Sequence, residues 1–271
     1  MSTMAKTSIT KSVKFAANIS SLFLDIPDHI ESYHEILKRK DYQFKAVEAQ
    51  DPYKVSVDDW KKELNSVETA SKPEFVLINS PPLFQRFPDR FPTVEEFDSI
   101  LKITGDYVTT LNARKVHLLL SDVNNSNDMT EMKQLLVKGA RYLAKLNVTC
   151  LIEPLSTRPN YYLRSYDVAL QLINELNEPN LKIMFDTYHL QRLHGNILHY
   201  LELLKNHIGH VQISQIPLRD CPIDEGELNH DFILKKLSTI YDDYIGLEYF
   251  NYATDNFEWV KKYTTNAGDE K

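Results

Sequence analysis

The chain has 271 residues, of which 42% are hydrophobic and 25% charged, with a formal net charge of −7 at pH 7. This composition is ordinary for a soluble globular protein, and the length suits one (β/α)8 barrel of roughly 250 residues. The acidic balance argues against a nucleic-acid-binding groove. Without an apolar run of ~18 residues or a signal-peptide core, we expect no membrane contact and a cytoplasmic location. Two cysteines, Cys150 and Cys221, are too few for a disulfide framework or a zinc cluster.

Short apolar runs of strand length alternate with helical patterns along the whole chain. Strands are predicted at 13–19, 44–49, 75–79, 115–120, 148–152, 181–185, 208–211 and 244–247. Helices are predicted at 27–40, 57–70, from 93 onward, and at 129–146, 165–176, 195–206, 231–241 and 256–263. Thr93 and Glu96 form a capping-box pattern at the start of the third of these. The alternation predicts an α/β fold, a single (β/α)8 TIM barrel over 13–263, with flexible tails at 1–12 and 264–271.

Four successive predicted strands in the second half end on a side chain that carries an oxygen: Glu153, Asp186, Gln212 and Glu248. The first of these strands has no polar face and is stopped by Pro154, so its terminal carboxylate must be paired or bind a metal. In a parallel barrel these strand ends converge at the carboxyl-terminal face. The set therefore predicts a site for Mg²⁺ or Mn²⁺. The alternative is separate ion pairs, for Glu153 with Arg158 or Arg164.

Three further side chains are candidates for binding a substrate. His189 lies three residues after Asp186, just beyond a strand end; alternatively it is satisfied by the start of the next helix. Arg219, in the loop after the seventh strand, could bind a carboxylate through two parallel N–H bonds. Its alternative is a surface ion pair with a neighbouring aspartate, Asp220 or Asp224. For His117, in the fourth strand, a role in the core and a role in the site are equally well supported.

Two more polar side chains are expected to face the barrel interior. Glu48 ends the second strand and is a further inward carboxylate. His210 precedes Gln212 by two residues, so both side chains lie on the same face of their strand.

Seven segments carry a resemblance to a known family: FAANISSLF, AVE at 46–48, LIEPLSTR, FDTYHLQRLHGN, HVQISQIPLRDCP, GELNHDF and IGLEY. In order and spacing they resemble the hydroxypyruvate isomerases. That family belongs to the xylose-isomerase-like TIM barrels, together with ketose 3-epimerases and a class of apurinic endonucleases. The similarity runs from about residue 13 to residue 259 and is strongest over 151–249.

The resemblance implies an isomerase that interconverts hydroxypyruvate and tartronate semialdehyde by metal-assisted proton transfer through an enediolate. Position by position, the family's metal site matches Glu153, Asp186, Gln212 and Glu248, and its acid/base pair matches Glu153 and Glu248. His189, Arg219 and His117 remain the candidates for substrate binding. The expected partners are a small hydroxy-oxo acid and, in a homodimer, a second copy of the chain.

Two loops depart from the family pattern. After the third strand, FQRFPDRFP replaces a glycine-rich loop, and after the fourth strand Ser121 and Asp122 replace a small glycine and a basic residue. These departures leave open an isomerase or 3-epimerase with a larger substrate, and a non-catalytic barrel that retains the metal site. The 3-epimerases usually carry histidine at the position of Gln212. An endonuclease of this fold would need metal sites rich in histidine and a basic face for phosphates. The predicted ligand set does not supply the first, and the net charge of −7 does not supply the second.

Overall fold

The structure is a computed structural model that describes residues 11–42, 44–88, 90–122, 129–252 and 256–264. Eight parallel strands close into a barrel in chain order, with the first strand pairing with the last. The strands are β1 Phe15–Asn18, β2 Ala46–Ala49, β3 Glu74–Asn79, β4 Lys115–His117, β5 Thr149–Ile152, β6 Leu181–Asp186, β7 Ile208–Ile213 and β8 Ile245–Leu247. The predicted (β/α)8 fold is confirmed.

Helices connect the strands in the described parts of the chain. They are α1 His29–Lys38, α2 Val57–Ser66, α3 Leu83–Arg86, α4 Val94–Leu111, α5 Thr130–Ala144, α6 Tyr166–Leu176, α7 Thr187–Leu193, α8 Ile197–Leu204, α9 His230–Leu237 and α10 Glu258–Thr264. The short helices α3 and α7 are absent from the sequence prediction, because each is one or two turns long and lies in a connection after a strand. None of the helices among the described residues combines the length and apolar character that crossing a lipid bilayer requires.

The strands are buried on both faces because helices cover the outside and side chains fill the inside. Most of the hydrophobic core lies between the strands and the helices. A smaller apolar cluster fills part of the barrel interior, formed by Ala16, Ala46, Val76, Leu77, Leu151 and Met184. The rest of the interior is polar, and this polar part leads to the strand ends.

Local capping fixes where helices begin. Thr93 and Glu96 form the predicted capping box at the start of α4, with both reciprocal hydrogen bonds present. Asp186 caps α7: its Oδ1 accepts the N–H of Tyr188 at 2.6 Å and of His189 at 3.4 Å. The end of β6 is thereby joined directly to a helix.

The predicted fourth strand, 115–120, is too long. Leu118 N still donates to the backbone carbonyl of Leu151, but the two backbone groups after it bond to side chains, which ends the regular pairing of β4: Leu119 N donates to Ser80 Oγ at 2.9 Å, and Leu120 N donates to the Tyr161 hydroxyl at 3.3 Å. Most of the predicted tails, and parts of the two divergent loops at 89 and 123–127, lie outside the described residues.

Candidate active site

The four oxygen-bearing side chains predicted from the strand ends lie together at the carboxyl-terminal end of the barrel. Glu153 directly follows β5, Asp186 ends β6, Gln212 lies in β7 and Glu248 directly follows β8. All four side chains are buried. Asp186 and Gln212 are register partners in adjacent strands. The closure of the barrel therefore brings three carboxyl groups and one carboxamide to one buried place.

Glu153 has neither of the arginine partners that the sequence left open. Arg158 pairs instead with Asp122 at 2.7 Å, and Arg164 donates to the carbonyl of Pro159. The Oε1 atom of Glu153 has no hydrogen-bond partner within the described part of the chain. The alternative that Glu153 forms an ion pair with Arg158 or Arg164 is therefore wrong.

Arg219 lies among the carboxyl groups rather than on the surface. Its Nη2 atom is 3.0 Å from Asp186 Oδ2 and 2.7 Å from Glu248 Oε1, and its guanidinium lies over the ring of Tyr188. Only 14% of the side chain is exposed, so the alternative of a surface pair with an adjacent aspartate is wrong. The backbone of Arg219 is left-handed, with φ of 64°, a conformation that costs energy and is concentrated at functional sites.

His189 presents an N–H group to two of the carboxyl groups. Its Nδ1 accepts the backbone N–H of Ser156 at 3.0 Å, and Ser156 Oγ lies 2.8 Å away. Because a backbone N–H can only donate, the proton of the neutral ring lies on Nε2. Nε2 is 4.0 Å from Glu153 Oε1 and 3.9 Å from Asp186 Oδ2. These three side chains are close enough to hold an ion, but the proton on Nε2 makes His189 a donor rather than a ligand.

His117 lines the site beside Glu153. Its Nδ1 is 3.6 Å from Glu153 Oε2, and its Nε2 has no hydrogen-bond partner among the residues described. Burial lowers the pKa of His117 to about 3 and the pKa of His189 well below its usual value. Both rings are therefore neutral at physiological pH.

Burial also controls the carboxyl groups. It raises the pKa of Glu153 well above its usual range, and the charges of Asp186 and Glu248 raise it further. Burial raises the pKa of Asp186, and it raises that of Glu248 to about 8 although the charge of Arg219 opposes the shift. A carboxyl group with a pKa of about 8, such as Glu248, can exchange protons near neutral pH, as general acids and bases must.

The residues present fit a hard divalent cation. Two buried oxygens, Glu153 Oε1 and Gln212 Oε1, lack hydrogen-bond partners among the described residues. They lie at the same strand ends as the carboxylates of Asp186 and Glu248. Carboxylate and amide oxygens are the ligands that Mg²⁺ and Mn²⁺ prefer. The predicted ligand set is therefore chemically suitable, and metal binding stays a prediction.

Sequence reasoning missed three side chains that support this site. Ser156 orients His189, and Gln50 donates from Nε2 to Glu248 Oε1. Gln215 accepts hydrogen bonds from the backbone N–H groups of Ile216 and Leu228 in the loop that carries Arg219. Ser156 lies inside the segment LIEPLSTR and Gln215 inside HVQISQIPLRDCP. Their membership of these segments was the signal that could have identified them. Gln50 directly follows the strand end at β2 and had no comparable signal.

A closed (β/α)8 barrel with buried carboxyl groups at the carboxyl ends of its strands has the architecture of a TIM-barrel enzyme. Residues 40–264 match the family model described as xylose isomerase-like TIM barrel. The chain therefore belongs to the xylose isomerase-like TIM barrel family.

Individual relatives match over nearly the whole chain. A Danio rerio protein provisionally named as a hydroxypyruvate isomerase is 31% identical, covering 95% of this chain and 98% of that protein. The 2-oxo-tetronate isomerase of Pectobacterium atrosepticum is 32% identical, covering 87% and 91%. A crystal structure of a family 2 AP endonuclease from Brucella melitensis has a TM-score of 0.80 and 28% identity, covering 93% of this chain and 100% of that one. The names of the first two confirm the prediction of an enzyme of the isomerase class.

Proposed function

We propose that the protein is an isomerase that interconverts hydroxypyruvate and tartronate semialdehyde, with Glu153 and Glu248 as its acid/base pair. The observation that carries this proposal is the pair of buried glutamates that directly follow β5 and β8, beside Asp186 and Arg219 at the carboxyl end of the barrel. Burial raises the pKa of both glutamates. Two such groups beside one substrate can supply the general base and the general acid for proton transfer between adjacent carbons. The names of the relatives support the same chemistry on a small oxo acid.

In this mechanism Arg219 holds the carboxylate of the substrate. Its Nε atom is buried without a hydrogen-bond partner in the described part of the chain, so at least one N–H remains for a ligand. A guanidinium presents parallel N–H groups that match a carboxylate. The Nε2–H of His189 would donate to a substrate oxygen between Glu153 and Asp186.

Glu153 is the better first base of the pair. Its Oε1 is free of hydrogen bonds within the described residues, whereas Glu248 Oε1 accepts from Gln50 and faces Arg219. Glu153 would remove the proton from the hydroxyl-bearing carbon, and the glutamate pair would return it to the neighbouring carbon of the enediolate, while the proton of the former hydroxyl group moves to the former carbonyl oxygen. Burial of the site excludes water, which prevents loss of the proton to solvent.

Glu153, Asp186, Gln212 and Glu248 would hold a Mg²⁺ or Mn²⁺ ion. Such an ion, when bound, would polarise the carbonyl group of the substrate and stabilise the developing negative charge. We further propose a cytoplasmic protein whose partner is the small substrate, with a homodimer as a prediction for its assembly.

The test is proton NMR of hydroxypyruvate in deuterated water with the Mg²⁺-loaded protein. We expect tartronate semialdehyde, or deuterium at the carbon next to the carbonyl. Glu153→Gln and a chelated sample should lose ~100- to 10,000-fold of the rate. Glu175→Gln, on the exposed side of α6, is the matched control and should retain it. Absence of exchange with a confirmed bound ion would overturn the assignment.

A second candidate substrate is 2-oxo-tetronate, which the name of the Pectobacterium relative gives. The described parts of the divergent loops follow the carboxyl ends of β3 and β4, where they would contact the more distant end of a substrate. The same assay with both compounds decides between them by kcat/KM.

A further inference from the structure

Glu48 is a buried carboxylate that the proposed reaction does not use. Its side chain is 1% exposed. It accepts three hydrogen bonds: Asn18 Nδ2 at 3.2 Å and Gln212 Nε2 at 2.8 Å bond to Oε2, and His210 Nε2 bonds to Oε1. A side chain on Gly246 would overlap this carboxyl group, so the glycine of β8 leaves the space that Glu48 occupies. The packing therefore fixes the carboxyl group as well as its partners.

The direction of the hydrogen bond from His210 follows from a buried lysine. Lys115 Nζ lies 3.0 Å from His210 Nδ1 and can only donate, so the ring proton lies on Nε2 and points at Glu48. The same Lys115 Nζ lies 2.8 Å from Asp243 Oδ2. A chain of hydrogen bonds thus crosses the barrel from Asp243 to Glu48. All three partners of Glu48 are donors, and a carboxylate, with two acceptor oxygens, can satisfy all of them.

This arrangement decides which end of the Gln212 carboxamide faces the site. Its NH2 group is taken by Glu48, and its Oε1 is buried without a hydrogen-bond partner among the described residues. The reverse orientation would set Oε1 against the carboxylate of Glu48 and turn the NH2 group, which cannot bind a cation, toward the ion site. The two orientations therefore differ in their ability to bind metal.

We propose that Glu48 is a positioning residue that directs the amide oxygen of Gln212 toward the divalent ion. This inference rests on the metal site of the proposed function. Glutamine at position 48 would offer an NH2 group to donors that require an acceptor, so the carboxamide of Gln212 would lose its fixed orientation. Groups that orient metal ligands typically change metal affinity by ~10- to 100-fold when they are removed.

The test is a titration with Mn²⁺ alone, in which electron paramagnetic resonance measures free Mn²⁺. The proteins are wild type, Glu48→Gln, Gln212→Ala and the double variant. We expect one ion per wild-type chain and ~10- to 100-fold weaker binding by each single variant. If Glu48 acts through Gln212, the double variant binds no more weakly than Gln212→Ala, because coupled effects are not additive. Glu74→Gln, a half-exposed carboxyl group at the start of β3, is the matched control and should bind as wild type.

The failing outcomes separate the two proposals. If wild type binds Mn²⁺ but the effects of Glu48→Gln and Gln212→Ala on the Kd for Mn²⁺ are additive, the role of Glu48 is overturned and the metal site is retained. The same holds if folded Glu48→Gln has an unchanged Kd for Mn²⁺. No Mn²⁺ binding by wild type overturns both.

If Glu48→Gln does not fold, a crystal structure of the Mn²⁺-loaded wild type decides instead. Gln212 Oε1 on the ion with Nε2 still bonded to Glu48 supports the inference, and a broken bond to Glu48 overturns it.

Discussion

The guanidinium of Arg219 lies 2.7 Å from the carboxylate of Glu248, so a cation of the protein itself is placed among the acidic side chains. The same nitrogen reaches Asp186 at 3.0 Å. Two cations within a few ångströms repel each other strongly in a buried environment. Arg219 and a divalent ion would therefore share the same carboxylates, with opposing effects on each other.

Arg219→Met should bind Mn²⁺ more tightly than wild type, by roughly tenfold, because the repelling charge is gone. Its KM for hydroxypyruvate should rise by roughly 10- to 100-fold, since a charge-assisted hydrogen bond of about 1.5–3 kcal/mol is lost. Titration with Mn²⁺ and steady-state kinetics measure the two effects. Arg192→Met is the control, because Arg192 also contacts Tyr188 but makes no described contact with the carboxylates. Weaker Mn²⁺ binding by Arg219→Met would contradict the prediction.

Metal binding should release protons at pH 7 and tighten as the pH rises toward 8. The pKa of Glu248 is raised to about 8, so this group carries a proton at neutral pH when no ion is bound, and burial shifts the pKa of Glu153 in the same direction. An ion must displace these protons. Calorimetry in two buffers with different ionisation enthalpies gives the number released, and equal binding enthalpies in the two buffers would refute the prediction.

The same shifts affect stability. Between the unfolded value near 4.5 and about 8, the folded ion-free protein binds more protons than the unfolded chain, so its unfolding free energy falls as the pH rises. Buried histidines with lowered pKa values, such as His117, have the opposite effect below pH 6.5, where they make the free energy of unfolding rise with pH. The effect of the carboxyl groups is therefore best measured between pH 6.5 and 8. In this range the increase in Tm on adding Mn²⁺ should become larger as the pH rises. A gain that is flat across this window would argue against titration of the site.

His189 should act as a donor to substrate and contribute little to metal binding. His189→Leu loses the hydrogen bond to the substrate, so its KM should rise by roughly 10-fold or more. His189→Gln keeps an N–H group near the position of Nε2, so its KM should rise less. Both variants should bind Mn²⁺ within a few-fold of wild type. A large loss of Mn²⁺ affinity in His189→Gln would identify the ring as a ligand instead.

Asp186→Asn keeps the cap of α7 but loses the charge, and should bind Mn²⁺ much more weakly.

Gln215→Ala should disorder the loop that carries Arg219. The Oε1 atom of Gln215 accepts the N–H groups of Ile216 and Leu228, and its Nε2 donates to the carbonyls of Pro222, Asp224 and Leu228. Its removal leaves several backbone groups without partners and should cost about 2–3 kcal/mol in the free energy of unfolding. Urea denaturation and KM measure the two effects. Gln134→Ala, on the exposed face of α5, is the control and should change neither.

The residues that the sequence located are those whose placement follows from strand geometry. Glu153, Asp186, Gln212 and Glu248 each stand at the end of an apolar run, and parallel strands end at one edge, so a pattern along the chain predicts a cluster in space. The inward direction of His210 follows in the same way from the alternation along β7. These inferences need no knowledge of distances across the barrel.

The environment of Arg219 could not be read from the chain. It depends on the path of an irregular loop, which the side chain of Gln215 and a left-handed backbone conformation determine. The link between Glu48 and His210 also depends on barrel closure, because β2 and β7 are not neighbours in the sheet and their side chains meet only across the interior.

Asp186 serves the helix and the site with its two oxygens. Oδ1 holds the first turn of α7, while Oδ2 faces Arg219. The first turn of this helix therefore cannot open without releasing a carboxylate of the site, and the site cannot reorganise Asp186 without loosening the turn. The amide protons of Tyr188 and His189 consequently act as built-in reporters, whose exchange with deuterated solvent measures how tightly the site is held.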